Sequence, residues 1–203
     1  MKKLILLVVM IPLMLIGVGT ACADIYADQV YSFTPGPNTV APHNDPLSAL
    51  GAPNYDGNTN GSTFLSLGWG GNVVLKFTDN SLTTSGSTAD DLWIYEIGPA
   101  VEPTDVFIGK NGIDWISVGS VAGATRGIDI DSFIGNGVVL WDQYSYVKLV
   151  DLNVHYSGYP YAGADIDAIG ALSTAPPVAS PEPATMLLLG LGLVGLVGLR
   201  RKL

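Results

Sequence analysis

Along the middle of the chain, short runs of β-branched and aromatic residues alternate with clusters of Gly, Asn, Asp and Pro, and no stretch keeps the spacing of an amphipathic helix. The pattern predicts strands at 29–33, 63–67, 72–77, 92–97, 105–108, 115–118, 138–140, 146–151 and 165–172. Within 72–77 the period of two puts Val73, Leu75 and Phe77 on one face and Lys76 on the other. Residues 108–115 read as a hairpin with Asn111-Gly112 at its tip. Many short strands separated by turn residues predict an all-β fold, a β-sandwich. The longest connection, 34–62, is rich in Pro, Gly and Asn, and loops of that length tend to be functional or ordered by a metal.

The two ends carry a different pattern. Lys2 and Lys3 precede the apolar run 4–18, and Ala21-Cys22-Ala23 supplies the small residues a signal peptidase requires, so 1–23 reads as a signal peptide cut before Asp24. Gly19 stands where a lipoprotein signal needs a larger aliphatic residue, which argues against lipidation of Cys22. At the far end, Pro181-Glu182-Pro183 leads into the apolar run 184–199 and then Arg200, Arg201 and Lys202. At 1.5 Å per residue that run covers about 24 Å, close to a hydrocarbon core of ~30 Å. The basic cluster marks its cytoplasmic end. The domain plan is therefore a signal peptide (1–23), a β-sandwich (24–175), a Pro-rich linker with the Pro-Glu-Pro motif (176–183), and a transmembrane sorting helix with a basic tail (184–203).

The motif, the Gly/Leu-rich span and the basic end together resemble the PEP-CTERM sorting domain. The resemblance implies recognition and cleavage by an exosortase of a Gram-negative bacterium. It also implies a transient stay in the inner membrane and a destination at the cell surface or in the extracellular matrix, among exopolysaccharide and biofilm.

Setting the ends aside changes the charge. Overall the chain carries −9, but five of its nine basic residues lie in the terminal segments. From Asp24 through the Pro-Glu-Pro motif, Lys76, Lys110, Arg126 and Lys148 stand against all eighteen acidic residues, four against eighteen, a balance of −14. Such a surface repels phosphate backbones and excludes nucleic acid as a partner. Cys22 is the only cysteine, so the exported part has no disulfide and depends on its core or on a bound cation.

The body resembles the galactose-binding-like jelly-roll domains of bacterial surface proteins, through the segments 45–51, 66–71, 91–96, 111–115, 146–149 and 163–169. Its Asn-Gly-x-x-Trp hairpin and Tyr-Val-Lys-Leu strand are similar to elements of discoidin-type modules, although the disulfide those modules usually carry is missing. The resemblance implies that an acid on the last strand holds a structural calcium, and Asp165 or Asp167 stands there, with Asp167 the favoured ligand. These two carboxylates flank Ile166, so a regular strand places them on one face, and calcium favours six to eight oxygen ligands. Asp56, Asn58 and Asn60 match the first half of an EF-hand loop whose twelfth position is Leu67 rather than Glu. Asp129 and Asp131 form a further acidic pair.

No nucleophile motif, H-E-x-x-H or P-loop accompanies His43 or His155, which read as solvated loop residues, and a non-catalytic protein is expected. Trp69, Tyr156, Tyr159 and Tyr161 are aromatic residues in Gly- and Pro-rich loops, suited to stacking on sugar rings or, alternatively, to capping the sandwich ends. Trp93 and Trp115 are expected in the core. The reading that unites these features is an exported, non-catalytic surface or matrix protein associated with extracellular polysaccharide. A protein-binding adhesin and a polysaccharide-active enzyme are its alternatives.

Overall fold

A computed structural model describes residues 24–97 and 102–177. The signal-peptide residues Ala21 and Ala23, the sorting motif 181–183, the span 184–199 and the basic residues 200–202 lie outside the described residues.

Among the described residues eleven strands form in chain order: β1 (Gln29–Thr34), β2 (Leu65–Ser66), β3 (Asn72–Lys76), β4 (Ser81–Leu82), β5 (Leu92–Glu96), β6 (Thr104–Gly109), β7 (Ile116–Val121), β8 (Thr125–Ile128), β9 (Tyr146–Asp151), β10 (Asp165–Ala171) and β11 (Thr174–Ala175). Two 3₁₀ turns, Pro46–Ala49 and Ile130–Phe133, interrupt them. One sheet runs β1-β3-β9-β6-β7, a second β2-β10-β5-β8, and β11 pairs with β4. Every strand pair is antiparallel.

The pairings are nested. Strand β6 pairs with β7, β5 with β8, β3 with β9 and β2 with β10, and successive pairs fall alternately in the first and the second sheet. The chain is thus one long antiparallel ribbon rolled into two facing sheets: the β-sandwich that the short-strand pattern predicted, in the jelly-roll form that the resemblance implied. A single core fills the space between them, with Val73, Leu75, Val106, Ile108, Val147 and Leu149 from the first sheet meeting Leu65, Leu92, Ile94, Ile166 and Ile169 from the second. Burial of this continuous apolar layer is the main favourable term for a chain without cross-links.

Four details differ from the sequence reading. Residues 138–140 form no strand: Val138 is buried and makes an isolated bridge to Ile134, while Val139 and Leu140 are exposed where a turn begins. The short strands β4, β8 and β11 lie outside that pattern, because a run such as Thr125-Arg126-Gly127-Ile128 has no apolar alternation. The β6–β7 hairpin exists, but its ladder ends at Ile108↔Ile116, which leaves a wider tip than a two-residue Asn-Gly turn. Asn111 closes that tip by accepting from the N–H groups of Ile113 and Asp114, both at 3.0 Å. Trp115 precedes β7 and is only half-buried, beside Lys148 on the outside of the sheet; Trp93 is half-buried too.

The long loop is held by backbone contacts. Gly36 N–H donates to the Leu67 carbonyl at 2.8 Å, and Gly71 N–H to that of Gly68 at 2.9 Å. A Cβ on Gly36, Gly68 or Gly71 would overlap the facing backbone, which explains the glycines around Trp69.

Candidate functional site

In β5 the buried positions alternate, Leu92, Ile94, Glu96, and in β9 they are Val147, Leu149, Asp151. In β6 the inward residues Thr104, Val106 and Ile108 set a parity that extends back to the buried Glu102. The first residue of β10 is Asp165. Thr104 pairs with Asp151 and Ile166 with Glu96, so these strand ends lie at the same end of the sandwich. There the apolar lining between the sheets gives way to four carboxylates: Glu96, Glu102, Asp151 and Asp165.

Each is almost wholly shielded from solvent: Glu96 is 4% exposed, Glu102 2% and Asp165 7%. Neither carboxylate oxygen of Glu96 or of Glu102 has a hydrogen-bond partner. Burial raises the Glu96 pKa to about 9; the Glu102 and Asp165 charges add to the rise, and the nearby amides of those two residues oppose it. Burial likewise lifts Asp165 to about 8, against the Ser66 hydroxyl that donates to it, with Glu102 and Asp151 adding. Glu102 is raised by burial and by Asp151 while the Ser157 hydroxyl opposes. Asp151 itself is fully engaged. Its Oδ1 accepts from Gly70 and Asn153, both at 2.8 Å, and its Oδ2 from Ala164 at 3.0 Å. Among the described residues the one ion pair, Lys110–Asp142 at 2.5 Å, follows the far end of β6. The cluster thus has no basic counter-ion.

Partnerless buried carboxylates are stable only when protonated or when a cation shares them. All of the donors are oxygen, which suits calcium rather than a softer transition metal. Among the described residues, however, the carboxylates whose ligand oxygens converge within 4.8 Å are Asp91, Asp129 and Asp131, so Glu96, Glu102, Asp151 and Asp165 would have to draw closer to share an ion.

The other expected ligands do different work. A register shift between Ile166 and Ala168 sets Asp167 apart in the β10–β5 ladder. Its carboxylate instead accepts from Asn54 N at 3.0 Å and Tyr55 N at 3.3 Å, anchoring the long loop. Burial raises its pKa, and the two amides oppose the rise. Asp165 and Asp167 therefore serve different partners despite their spacing. Asp56 accepts from Asn58 N at 2.9 Å and Asn58 from Asn60 N at 3.0 Å, so this segment is a pair of successive Asx turns. At the opposite end of β5, one carboxylate oxygen each of Asp91, Asp129 and Asp131 lie within 4.8 Å of one another.

The aromatic residues divide. Tyr156 and Tyr159 are exposed, the latter by 72%. Trp69 stacks on His155 with ring centroids 3.9 Å apart and donates its indole N–H to the Ser157 carbonyl at 3.1 Å. Tyr161 packs edge-on against His43 at 5.3 Å, and His43 stacks on Phe64 at 4.8 Å. His43 is consequently buried, not solvated, and its Nδ1 has no partner. Of the four aromatic residues, Trp69 and Tyr161 are thus engaged by ring neighbours, while Tyr156 and Tyr159 are exposed. Trp141, not singled out by the sequence, is 62% exposed and held at a φ of 64°, an uncommon conformation for a bulky side chain. It borders a surface groove of about 240 Å³ with Lys110, Asp142 and Gln143.

The missed carboxylates Glu96, Glu102 and Asp151 had a signal in the sequence. Each falls on the inward parity of its strand, two positions from a buried neighbour.

Among the described residues no helix is long and apolar enough to cross a membrane. Residues 181–202 match the PEP-CTERM protein-sorting motif, which marks the chain as an exported protein sorted by exosortase. No curated protein matches the chain. Among solved structures, the C-terminal domain of a chitobiase from Bacteroides fragilis is similar at 14% identity and a TM-score of 0.38, covering 69% of this chain and 92% of that one. The sandwich architecture rests on the chain's own strand pairings.

Proposed function

We propose that this chain is a non-catalytic surface or matrix protein of a Gram-negative bacterium whose sandwich is clamped by calcium and associates with extracellular polysaccharide. A signal peptide at 1–23 and a transient inner-membrane span at 184–199 deliver it, and exosortase acts at 181–183. The observation that carries the calcium is the pair Glu96 and Glu102, buried with four oxygens lacking any partner. Glu96 and Asp165 come from the second sheet, Asp151 from β9 of the first and Glu102 from the segment that leads into β6. An ion held among them ties the two sheets together, the task a disulfide performs in other secreted domains. Polysaccharide is the partner that suits the sorting tail, the acidic surface and the exposed faces of Tyr156, Tyr159 and Trp141.

The deciding experiment is a calcium titration of the full chain in detergent after chelator dialysis, followed by calorimetry and thermal melting. Calcium is expected to raise the melting temperature, and Glu96→Gln to weaken that response. A melt indifferent to calcium overturns the clamp. Co-sedimentation with matrix polysaccharide tests the partner.

A protein partner is the second reading, and one observation favours it. Ile134, Val139, Leu140 and Trp141 are all exposed, and the Ile134↔Val138 bridge draws their segments together. Retention of a surface protein, lost on replacing Leu140 by Ser, would favour adhesion over sugar binding.

A further inference from the structure

The carboxylates at the other end of β5 are arranged differently from the first four. Asp91 immediately precedes β5, while Asp129 and Asp131 bracket the first residue of the 3₁₀ turn that follows β8. Asp91 is fully buried; its Oδ2 accepts from Ile130 N at 3.0 Å, and its Oδ1 has no partner. Asp129 uses Oδ1 to accept from Asp131 N at 2.9 Å. Asp131 uses Oδ2 to accept from Ser85 N at 2.9 Å, Ser85 Oγ at 3.2 Å and Gly86 N at 3.1 Å. Each carboxylate is therefore fixed through one oxygen, and the described hydrogen bonds leave its other oxygen free. The serine hydroxyls of Ser85 and Ser173 face Asp91 as well.

We infer that Asp91, Asp129 and Asp131 form a second binding site for a hard divalent cation of the calcium class. One carboxylate oxygen from each residue lies within 4.8 Å of the others, and Asp91, buried among them, carries an oxygen with no partner, so the cluster is a preformed face for an oxygen-seeking ion. The half-exposed Asp129 and Asp131 leave room for water to complete the coordination. The first cluster lies about 16 Å away, at roughly 3.3 Å per residue along β5, so the two sites load independently.

The site also sits where the chain leaves the sandwich. The Asp91 carbonyl accepts from Leu172 N at 2.6 Å and Ser173 N at 3.2 Å, and Ser173 in turn accepts from Thr83 N at 3.0 Å. A cation here locks the 3₁₀ turn, the β4–β5 loop and the departing C-terminal segment to one another.

The test is calcium titration of the full chain in detergent, with magnesium in a parallel arm, for the wild type and for Asp129→Asn, Asp91→Asn and Glu96→Gln. The side-chain carbonyl left by Asp129→Asn can still accept from the Asp131 amide, so this variant keeps the turn; melting in chelator checks that it does. The wild type is expected to take up two ions. Asp129→Asn and Asp91→Asn should each weaken one of them at least tenfold, and Glu96→Gln should retain that same ion. Tighter binding of magnesium than of calcium would contradict the calcium class. An Asp129→Asn isotherm identical to wild type, or loss of all binding in Glu96→Gln, overturns the second site without touching the first. Loss of one ion in Asp129→Asn with no effect of Glu96→Gln supports this site and removes the other.

Discussion

Glu96, at the end of β5, and Glu102, just ahead of β6, bring two partnerless carboxylates into one another's field at the buried end of the sandwich. The relationship is adverse unless a proton or a cation mediates it, and it sets the response of the molecule to pH.

In the absence of metal, Glu96 and Asp165 hold their protons up to about 9 and about 8, well above their ordinary values of 4.5 and 3.8. The folded chain therefore binds protons that the unfolded chain has already released. Their contribution to stability is complete below the ordinary carboxylate range and is lost as pH rises through the folded values. In chelator, the melting temperature should fall between about pH 5 and pH 9, and Glu96→Gln should flatten that fall. Thermal melts across this range, with and without calcium, provide the check.

Asp167 anchors the long loop through two backbone amides. Asp167→Ala should destabilise by about 3 kcal/mol, since bonds to a buried charge are lost and two amides are left open. Hydrogen exchange at Asn54 and Tyr55 should accelerate in step with the change seen by denaturant unfolding.

Glycines of similar appearance should differ in cost. A methyl group on Gly71 meets the Leu67 carbonyl and the Gly36 amide, whereas one on Gly57 meets open space. Gly71→Ala should cost about 3 kcal/mol or more through backbone displacement. Gly57→Ala, at a φ of 87°, should cost about 1 kcal/mol from conformation alone. Urea denaturation of the two variants separates the effects.

The tyrosines of the 156–161 loop should separate in the same way. Tyr159→Ala should leave stability within about 0.5 kcal/mol, as expected for an exposed side chain, and should weaken retention by polysaccharide. Tyr161→Ala removes contacts with His43 and Phe64 and should destabilise by roughly 2 kcal/mol. Melting and co-sedimentation of both variants distinguish a binding residue from a packing one.

The architecture was legible wherever burial imposes a period of two, as in Val73, Leu75 and Phe77 or in the inward residues of β9. It was not legible at 138–140, where Val139 and Leu140 are exposed as a turn begins, or in β8, whose place comes from pairing with β5 rather than from its own side chains. The acidic cluster was half-legible. Asp165 was named together with Asp167, and behind it, through the resemblance, while Glu96 hid at the end of an apolar alternation that could have been continued onto it. At Asp167 a register shift breaks the face-sharing rule that its spacing invokes. Asp91 gave no local sign: its partners come from residues 129–131 and from 172–173, far along the chain.

The nested ribbon has a consequence in time. Its outermost pair joins Leu65 to Ile166, and a further bridge joins Tyr26 to Gly170, so the first described residues close against the last long strand. Contacts of such long sequence separation make for slow folding. Synthesis delivers β10 last among the long strands, directly ahead of the stretch that carries the sorting motif. Until it arrives, β2 and β5 present open edges inviting wrong partners. The roll can therefore shut only when the address label is close behind, and a chain cut short before β10 forfeits its closure together with its destination.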